Sequence, residues 1–405
     1  MSLLRAVSAG LKIGLGLTLG GPALVLGGAF PGFGTLHDTS LPGRVEQAQL
    51  RADPAPETGG RVSFNDPSGD RREQFSLVRR IDRAIDGAAA DATVRLAAYS
   101  FAMPSTARAL LRAHARGAAV RVVVDDHSAH WGAVKQLRAV LGTDTSTDSF
   151  VKVCRFSCRG GRGNQHAKFV TISSGTWGQR LDHLVMVGSL NLTNYSSQRQ
   201  WNDLYVASDR GAHDQLAEIF ARLADDEPQS RLRLGETTKG FATDLAPYSA
   251  DDPTDTLARI LSRARCRGAS LVSGDDGRTV IRIAMHAWNG ERGIDLARQV
   301  AGLHRRGCAV KVLYGVGMGR AVATTLREAG VPLRDSNNAG RRVHHKVLLV
   351  SGVLGRQVDA NYVWTGSHNW SDRSLRNDEI LFRVSGRHLV QSYLANFRTM
   401  WRAAD

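Results

Sequence analysis

Helical and strand-like segments alternate along most of the chain. Apolar residues recur at helical spacing over Phe75–Ile85 and Thr106–Ala115, whereas the short, mostly apolar runs Val94–Ala102 and Val120–Val124 are typical of buried strands. Strands that alternate with helices in this way are typical of α/β layering around a mainly parallel sheet. We therefore predict an α/β fold that begins near Gln74.

The strand and helix pattern occurs twice. The segment RLAAYSFA from Arg95 is matched by RIAMHAWN from Arg282, and RGAAVRVVV from Arg116 is matched by RGCAVKVLY from Arg306. In both copies a helical segment separates the two matched strands. The chain is therefore predicted to be a tandem duplication of a whole domain and not an array of short repeats.

Two short motifs also recur, and their spacing is the same in both copies. HAKFVTI from His166 is matched by HHKVLLV from His344, and VGSLNLT is matched by TGSHNWS further on. The histidine precedes the asparagine of the second motif by 25 residues in each copy (166 to 191 and 344 to 369), and its serine by 23 (166 to 189 and 344 to 367). Unrelated loops would not keep both spacings, so the motifs belong to the repeat.

The repeat and the shifts in composition divide the chain into five predicted segments. The segment after the first apolar run is rich in Pro, Gly and Asp and has no periodicity, which favours a linker or an extended arm. A polar segment with Pro228 and Pro247 separates the two copies. The predicted segments are a signal peptide or membrane anchor (1–30), the linker or arm (31–73), lobe 1 (74–226), a second linker (227–252) and lobe 2 (253–405).

The N-terminus has the order of charged and apolar residues that is typical of a secretory signal. Arg5 and Lys12 precede an uncharged apolar run, Ile13–Phe30. The run is nearly long enough to span a bilayer, so an uncleaved anchor is the alternative, although its glycines and Pro22 weaken a helix. We predict a protein that is secreted, or anchored to the outer face of the membrane by this segment.

The four cysteines agree with export, because an even number in an exported protein suggests two disulfides. We expect the pairs Cys154–Cys158 and Cys266–Cys308, although three pairings are possible. A zinc site is the rival interpretation. It is disfavoured because the spacings lack a second C-x-x-C and no histidine cluster lies nearby in the sequence.

The chain is strongly basic, with 53 Lys and Arg against 38 Asp and Glu and a formal net charge of +15. Such a field concentrates polyanions, so anionic lipid surfaces and nucleic acids are the favoured partners. The charge does not distinguish between these two partners. An Arg-rich composition that only reflects GC-rich coding explains the excess equally well.

The repeated H-x-K and G-S-x-N motifs supply what cleavage of a phosphodiester requires. That reaction needs a nucleophile, a proton donor for the leaving oxygen, and cationic or hydrogen-bonding groups around the phosphoryl oxygens. The imidazoles of His166 and His344 can supply the first two. The groups for the phosphoryl oxygens are the ammonium groups of Lys168 and Lys346, which share a strand face with the histidines, the amides of Asn191 and Asn369, and the hydroxyls of Ser189 and Ser367.

Two H-x-K motifs, each followed by G-S-x-N, make the chain resemble the phospholipase D superfamily, in its secreted bacterial type, over about Gln74–Asp405. The resemblance implies two α/β lobes related by pseudo-twofold symmetry, each a mixed β-sheet flanked by helices, with one site where the H-x-K strands meet. It also implies a two-step displacement through phosphohistidine, with His166 as the nucleophile and His344 as the acid and base. No metal or other cofactor is expected to be required, and a monomer is expected to contain the whole site.

In the family, an acidic residue on the strand after G-S-x-N orients each catalytic histidine. The matching segments are WNDLYV and RNDEILF. Their alignment places Asp203 behind His166 and Glu379 behind His344. Asp378 is a competitor for the second role.

The sequence departs from the family pattern at one position in each copy. The signature usually has an Asp five residues after the lysine, where this chain has Ser173 and Ser351. We interpret that Asp as a supporting group behind the site. Serine keeps a hydrogen bond there but not a charge, and a non-catalytic protein that retains the fold stays an alternative.

Other polar and aromatic residues lie near the motifs. His345 alternates to the strand face opposite His344 and is predicted to be a packed or surface residue. One of the three histidines at strand ends is a candidate for contact with substrate; these are His127, His130 and His286. Core packing is the simpler interpretation of the loop tryptophans, and lining of a head-group pocket is the alternative, for Trp131, Trp288 and Trp370.

The function predicted from these features is that of a metal-independent phosphodiesterase of the phospholipase D type. Its substrate is expected to be a phospholipid at a membrane surface, with transfer to an alcohol as a variant of hydrolysis. Two alternatives remain open. One is a secreted endonuclease that uses the same site on nucleic acid, and the other is a non-catalytic protein that binds anionic lipid or an envelope polymer.

Overall fold

The computed structural model describes residues 60–159, 162–227, 232–234, 242–245 and 255–404. The predicted signal peptide or anchor, residues 1–30, lies outside the described residues. Among those that are described, no helix is both long and apolar enough to cross a bilayer. From here on, lobe 1 denotes the described residues up to 227 and lobe 2 those from 232 onward.

Lobe 1 is built on a seven-stranded mixed sheet among the described residues. Its strands are β1 (Arg61–Phe64), β2 (Thr93–Ala98), β3 (Ala119–Asp125), β4 (Phe150–Cys154), β5 (Phe169–Thr176), β6 (Arg180–Gly188) and β8 (Asp203–Ser208), with the short β7 (Gln200–Trp201) outside this sheet. Its helices are α1 (Arg71–Gln74), α2 (Ser76–Asp86), α3 (Pro104–Ala115), α4 (Gly132–Leu141), α5 (Asn194–Arg199) and α6 (Arg210–Asp225), and a 3₁₀ turn covers Asp126–Ser128.

Lobe 2 repeats this plan around a sheet with nine strands in its described part. The strands are β9 (Leu232–Leu234), β10 (Ala242–Leu245), β11 (Ala264–Arg265), β12 (Val280–Trp288), β13 (Ala309–Met318), β14 (Leu333–Asp335), β16 (Lys346–Leu354), β17 (Gln357–Gly366) and β18 (Ile380–Ser385), with the short β15 (Arg342–Val343) outside the sheet. The helices are α7 (Thr256–Arg263), α8 (Gly290–Arg305), α9 (Arg320–Glu328) and α10 (Arg387–Ala403), and a 3₁₀ turn covers Asp372–Leu375.

The two sheets share one strand order over seven equivalent strands, to which lobe 2 adds β9 at its edge and β11 beside β16. Lobe 1 runs β1-β8-β6-β5-β2-β3-β4, and lobe 2 runs β9-β10-β18-β17-β16-β12-β13-β14, with β11 paired to β16. In each lobe β2 or β12 is parallel to its neighbour β3 or β13 on one side and antiparallel to β5 or β16, next to H-x-K, on the other. The predicted duplicated α/β fold with two mixed sheets is confirmed.

Apolar patterning explains how the layers form. Helix α2 buries Leu77, Ile81 and Ile85, which recur at helical spacing, against lobe 1. Strand β3 has apolar residues on both faces because both are covered: Val122 packs on the side of α2, α3 and α4, and Val123 packs on the side of α6. Helices α6 and α10 lie in one hydrophobic cluster with residues of both sheets, so this part of the core joins the two lobes.

The predicted linkers contain regular structure. Strand β1 lies within the segment predicted as a linker or arm, and pairs with β8. Strand β10 lies within the predicted 227–252 linker and pairs with β18 in the equivalent place. These strands are too short to show periodicity in the sequence, and the repeating unit therefore begins before residue 74 in the first copy.

Both predicted disulfides, Cys154–Cys158 and Cys266–Cys308, are present. The first closes the loop after β4, and the backbone N–H of Cys158 donates to Asp378 Oδ2 of lobe 2 at 2.6 Å. This loop therefore lies against the strand region of the opposite lobe that carries Glu379.

Candidate active site

Each H-x-K histidine is held at the boundary of the lobes by the backbone of the opposite lobe. His166, which precedes β5, donates its backbone N–H to Asp378 O at 3.1 Å, and His344, which precedes β16, donates to Trp201 O at 3.0 Å. Next to the second contact, β15 of lobe 2 and β7 of lobe 1 pair as parallel strands. Both histidines are buried, with exposed fractions of 8% and 4%. The two half-sites therefore meet across the interface.

His166 is oriented by a carboxylate from lobe 2. Its Nδ1 lies 2.8 Å from Glu379 Oε2, and Glu379 Oε1 accepts a second hydrogen bond from Asn377 Nδ2 at 3.0 Å. Burial alone would raise the pKa of Glu379, but the charge and hydrogen bond of His166, followed by His368 and Lys168, hold it down at about 2. The ionised carboxylate therefore accepts the Nδ1 proton, and Nε2 is the nitrogen available for chemistry.

His344 is oriented by an amide from lobe 1. Its Nδ1 lies 2.9 Å from Asn202 Oδ1. Asn202 Nδ2 donates to Ser196 O and Gln200 O, each at 3.0 Å, which fixes the orientation of the amide and leaves its oxygen toward the imidazole. His344 must therefore donate from Nδ1, and its Nε2 is available like that of His166.

The predicted orienting pairs were wrong, because the alignment was displaced by one residue and each partner comes from the opposite lobe. Phe64 of β1 pairs with Asp203, and Leu245 of β10 pairs with Ile380 at the equivalent place. Asp203 therefore corresponds to Ile380, and Asn202 corresponds to Glu379. Asn202 was missed by sequence reasoning, although a shift of the WND and NDE segments by one residue would have found it.

Asp203 links the two lobes in the core behind the site. Its carboxylate accepts hydrogen bonds from Ser189 Oγ at 2.8 Å, from Tyr393 OH at 2.7 Å, and from the hydroxyl of Thr365. Its side chain is fully buried, and His345 Nε2 lies 4.0 Å away. Asp203 is therefore a structural anchor of both lobes, and it contacts neither H-x-K histidine as an orienting partner.

We expect Asp203→Ala to lower the free energy of unfolding by about 2–4 kcal/mol, because three buried hydroxyl groups lose their acceptor. Urea denaturation followed by circular dichroism measures the change. Asp203→Asn, which retains one acceptor oxygen, is the matched control and should lose less. A midpoint for the alanine variant equal to that of the wild type would contradict this role.

The two lysines lie in matching places beneath the histidines. Lys168 Nζ donates to His166 O at 2.6 Å, and Lys346 Nζ donates to His344 O at 2.7 Å. Burial lowers the pKa of Lys168 to about 7 and that of Lys346 well below its usual value. An anion that enters between them would restore their full positive charge, since an opposite charge favours the protonated form.

In the site without substrate, both histidines also have lowered pKa values, which favours their neutral form. Burial lowers the pKa of His166 to about 4, with Lys168 acting in the same direction and Glu379 opposing both. Burial, followed by Lys346, lowers the pKa of His344 well below its ordinary value. His166 also lowers the pKa of His344, so the two rings belong to one electrostatic unit.

The asparagines and the serines of the G-S-x-N motifs differ in their exposure. Asn191 and Asn369 are partly exposed, and Asn369 Oδ1 accepts from the backbone N–H of Ala287 at 3.3 Å. Ser189 and Ser367 are fully buried; Ser189 bonds to Asp203, and Ser367 Oγ accepts from the backbone N–H of Ile380 at 3.0 Å. Their hydroxyls hold the motif against β8 and β18, and the predicted contact of these serines with substrate stays a prediction.

Ser173 and Ser351 serve local hydrogen bonds in β5 and β16. Ser173 Oγ accepts from the backbone N–H of Thr93 at 2.9 Å. Ser351 Oγ donates to Asn361 Oδ1 at 2.9 Å and accepts from the backbone N–H of Gly274 at 3.2 Å. The hydrogen-bonding part of the predicted supporting role is therefore observed.

A further side chain lies beside each catalytic imidazole, at equivalent places of the repeat. The Tyr99 ring lies 4.7 Å from the His166 ring and 5.2 Å from Lys168 Nζ, and the His286 ring lies 4.6 Å from the His344 ring. Among the three strand-end histidines considered from the sequence, His286 is thus a neighbour of the site. Tyr99 was missed, although it aligns with His286 in the segments RLAAYSFA and RIAMHAWN.

The remaining aromatic candidates are mostly structural. Trp288 and Trp370 are buried against each other with ring centroids 4.5 Å apart, and His345 is 1% exposed, so core packing is confirmed for these three. Trp131 is partly exposed and packs against His127, whose Nδ1 lies 2.6 Å from Asp125 Oδ1. His130 is exposed.

Comparison with curated proteins gives two partial matches. The chain is 31% identical over 115 residues to the mitochondrial cardiolipin hydrolase of Xenopus laevis, covering 27% of this chain and 50% of that protein. It is 28% identical over 114 residues to the mouse protein of the same name, covering 27% of this chain and 48% of that protein. The chain thus matches about half the length of these relatives.

The fold itself extends over nearly all of a solved structure. Phosphatidylserine synthase from Haemophilus influenzae superposes with a TM-score of 0.56 at 12% identity, and the match covers 85% of this chain and 86% of that one. At this identity the likeness concerns the fold alone. A family model described as cardiolipin synthase, phospholipase D-like domain, matches residues 81–224 and again residues 277–401, which are the two lobes. The chain therefore belongs to the phospholipase D-like family of the cardiolipin synthase type.

Proposed function

We propose that the protein is a metal-independent phosphodiesterase of the phospholipase D type that cleaves phospholipid head groups through a phosphohistidine at His166. The observation that carries this proposal is the difference between the two half-sites. His166 is paired with a carboxylate, Glu379, whereas His344 is paired with a neutral amide, Asn202. The two imidazoles are chemically alike, so their different partners at Nδ1 suit them to different roles in the reaction.

In the first step, His166 Nε2 attacks phosphorus while the bond from phosphorus to the head-group oxygen breaks. His344 Nε2 gives its proton to that oxygen, and the head group leaves as an alcohol. The new phosphoimidazole is positively charged, and Glu379, 2.8 Å from Nδ1, stabilises it. Lys168 and Lys346 neutralise the charge that develops on the equatorial oxygens.

In the second step, neutral His344 takes a proton from water, the water oxygen bonds to phosphorus, and the bond from phosphorus to His166 Nε2 breaks. Both histidines then have their starting protonation. Asn202 holds the His344 ring without adding negative charge. His344 can therefore release its proton in the first step more readily than an imidazole paired with a carboxylate. An alcohol in place of water gives head-group exchange by the same route.

The proposed substrate class is glycerophospholipid at a membrane surface, with cardiolipin tested first. The positive net charge of +15 favours an anionic surface, and the matched family and curated relatives carry cardiolipin in their names. We also propose that the protein is secreted or anchored outside the membrane. The two disulfides and the apolar run Ile13–Phe30 support this location.

The test uses the purified full-length protein, with excess EDTA, on vesicles of cardiolipin, phosphatidylglycerol or phosphatidylcholine and on plasmid DNA. We expect phosphatidic acid, measured by mass spectrometry, in the presence of EDTA and none with His166→Ala. Cleavage of DNA without lipid turnover, falling steeply with salt, would replace the proposal by a nuclease. Binding to vesicles without turnover of any substrate would replace it by a lipid-binding protein.

A further inference from the structure

His286 is held beside His344 by a hydrogen bond to Val343, the residue that precedes His344. Its Nδ1 lies 3.1 Å from Val343 O, and its backbone N–H donates to His345 O at 2.9 Å. A backbone carbonyl can only accept, so Nδ1 carries the hydrogen and Nε2 carries the lone pair. The ring is tilted by 60° against the His344 ring, with the centroids 4.6 Å apart.

Gly315 of β13 makes room for this contact. A Cβ atom at residue 315 would lie 2.6 Å from Val343 O and 3.1 Å from His286 Nδ1, closer than ordinary packing permits. The absence of a side chain at Gly315 therefore allows the His286 ring to dock on the backbone that carries His344.

The Nε2 atom of His286 remains open to a ligand. Among the described residues it has no hydrogen-bond partner, and the residue is partly exposed, in contrast to the buried His166 and His344. Burial and then Lys346 lower the pKa of His286 to about 3. The ring is therefore neutral at physiological pH, and its Nε2 presents an acceptor close to Lys346 and Lys168.

The other half-site differs at this position. The equivalent residue in lobe 1 is Tyr99, which lies beside His166 and has the Lys168 ammonium over its ring. A phenol thus stands next to the proposed nucleophile, and an imidazole acceptor stands next to the proposed acid. The leaving oxygen receives its proton from His344, so the head group passes this acceptor.

We propose that His286 Nε2 accepts a hydrogen bond from a second hydroxyl of the head group, next to the oxygen that His344 protonates. This inference rests on the proposed function and assigns a substrate feature to it. Head groups of the glycerol type carry such a vicinal hydroxyl. Head groups derived from simple monoalcohols carry none. The acceptor therefore favours polyol head groups over those derived from simple monoalcohols, because a head group without a second donor covers Nε2 and leaves it without a partner.

The experiment is an internal competition on vesicles that contain equal amounts of phosphatidylglycerol and phosphatidylethanol with identical acyl chains. The initial ratio of glycerol to ethanol released gives the ratio of the two kcat/KM values and does not depend on the amount of folded enzyme. We expect the wild type to favour glycerol and His286→Ala to lower the ratio about tenfold. His286→Gln, which can offer an amide oxygen, should recover part of it, and Gly315→Ala should lower it by displacing the ring.

The control variant is His130→Ala, which removes an exposed histidine of lobe 1 and should leave the ratio unchanged. An unchanged ratio in His286→Ala, with both lipids still hydrolysed, would overturn the inference and leave the proposed function intact. No hydrolysis of either lipid by the wild type would overturn the proposed function and the inference with it.

Discussion

His344→Ala is expected to release a single equivalent of leaving group from an activated phosphodiester and then to stop. A p-nitrophenolate group leaves without a proton, so His166 can still attack and form the phosphohistidine. The second step lacks its base, because the imidazole oriented by Asn202 is gone. Steady-state turnover should fall by about 10³-fold or more, while the first turnover persists. Rapid-mixing absorbance with bis(p-nitrophenyl) phosphate measures both phases.

His166→Ala is the matched variant and should show neither a burst nor turnover, since the nucleophile is removed. Intact-mass and peptide analysis of His344→Ala should find the phosphoryl adduct on His166. A burst in His166→Ala with the adduct on His344 would reverse the assignment of the two roles. Comparable residual turnover in both variants would contradict a shared site. His130→Ala, an exposed position, controls for general effects of histidine removal.

Glu379→Gln is expected to lower kcat/KM by about 10²-fold or more. The substitution removes the negative charge 2.8 Å from Nδ1 of His166 and, with it, the group that stabilises the positive phosphoimidazole. The loss should appear already in the first turnover, because formation of the intermediate is slowed. Asn202→Asp is the complementary change, since it places a carboxylate behind His344 in the same geometry.

The two variants should also change the pH dependence of kcat/KM. Glu379→Gln acts through His166, and Asn202→Asp acts through His344. Burial lowers the pKa of His166 to about 4, so above that pH His166 is unprotonated and can attack. Burial and Lys346 lower the pKa of His344 well below 6.5, so the proton for the leaving group is lost as the pH rises above that lowered value. kcat/KM of the wild type is therefore expected to fall already in the acidic range. A carboxylate at residue 202 raises the pKa of His344 and moves this fall to higher pH.

A kcat/KM profile of Asn202→Asp that coincides with the wild type would contradict His344 as the acid. So would a shift to lower pH, because a negative charge can only favour the protonated imidazole. For Glu379→Gln, a loss confined to the second step, with an undiminished burst, would place Glu379 behind the wrong histidine for the proposed mechanism.

The sequence was sufficient for the features that repeat within it. Equal spacing from histidine to asparagine identified the two half-sites, and the alternation of helical and apolar segments predicted the α/β lobes. The four cysteines predicted both disulfides. These features are local, or are copied from one half of the chain to the other, so one sequence contains the comparison that reveals them.

The orienting residues were not predictable in the same way. Glu379 is 213 residues from His166, and Asn202 is 142 residues from His344. Alignment of the two copies relates each residue to its counterpart, but it does not show that each histidine takes its partner from the other copy. The acidic residue that attracted attention in lobe 1, Asp203, is instead bonded to Ser189, Thr365 and Tyr393.

The crossed contacts between the lobes also bear on how such a site can evolve. If two identical copies of one lobe met as a homodimer, the residue behind both histidines would have to be the same, because one gene would encode both. Fusion of the copies into a single chain removes that constraint. One copy can then keep a carboxylate at the position of Glu379 while the other acquires the amide of Asn202. Different partners behind the two histidines thus require a duplicated gene, and joining the copies ensures that every site contains one of each.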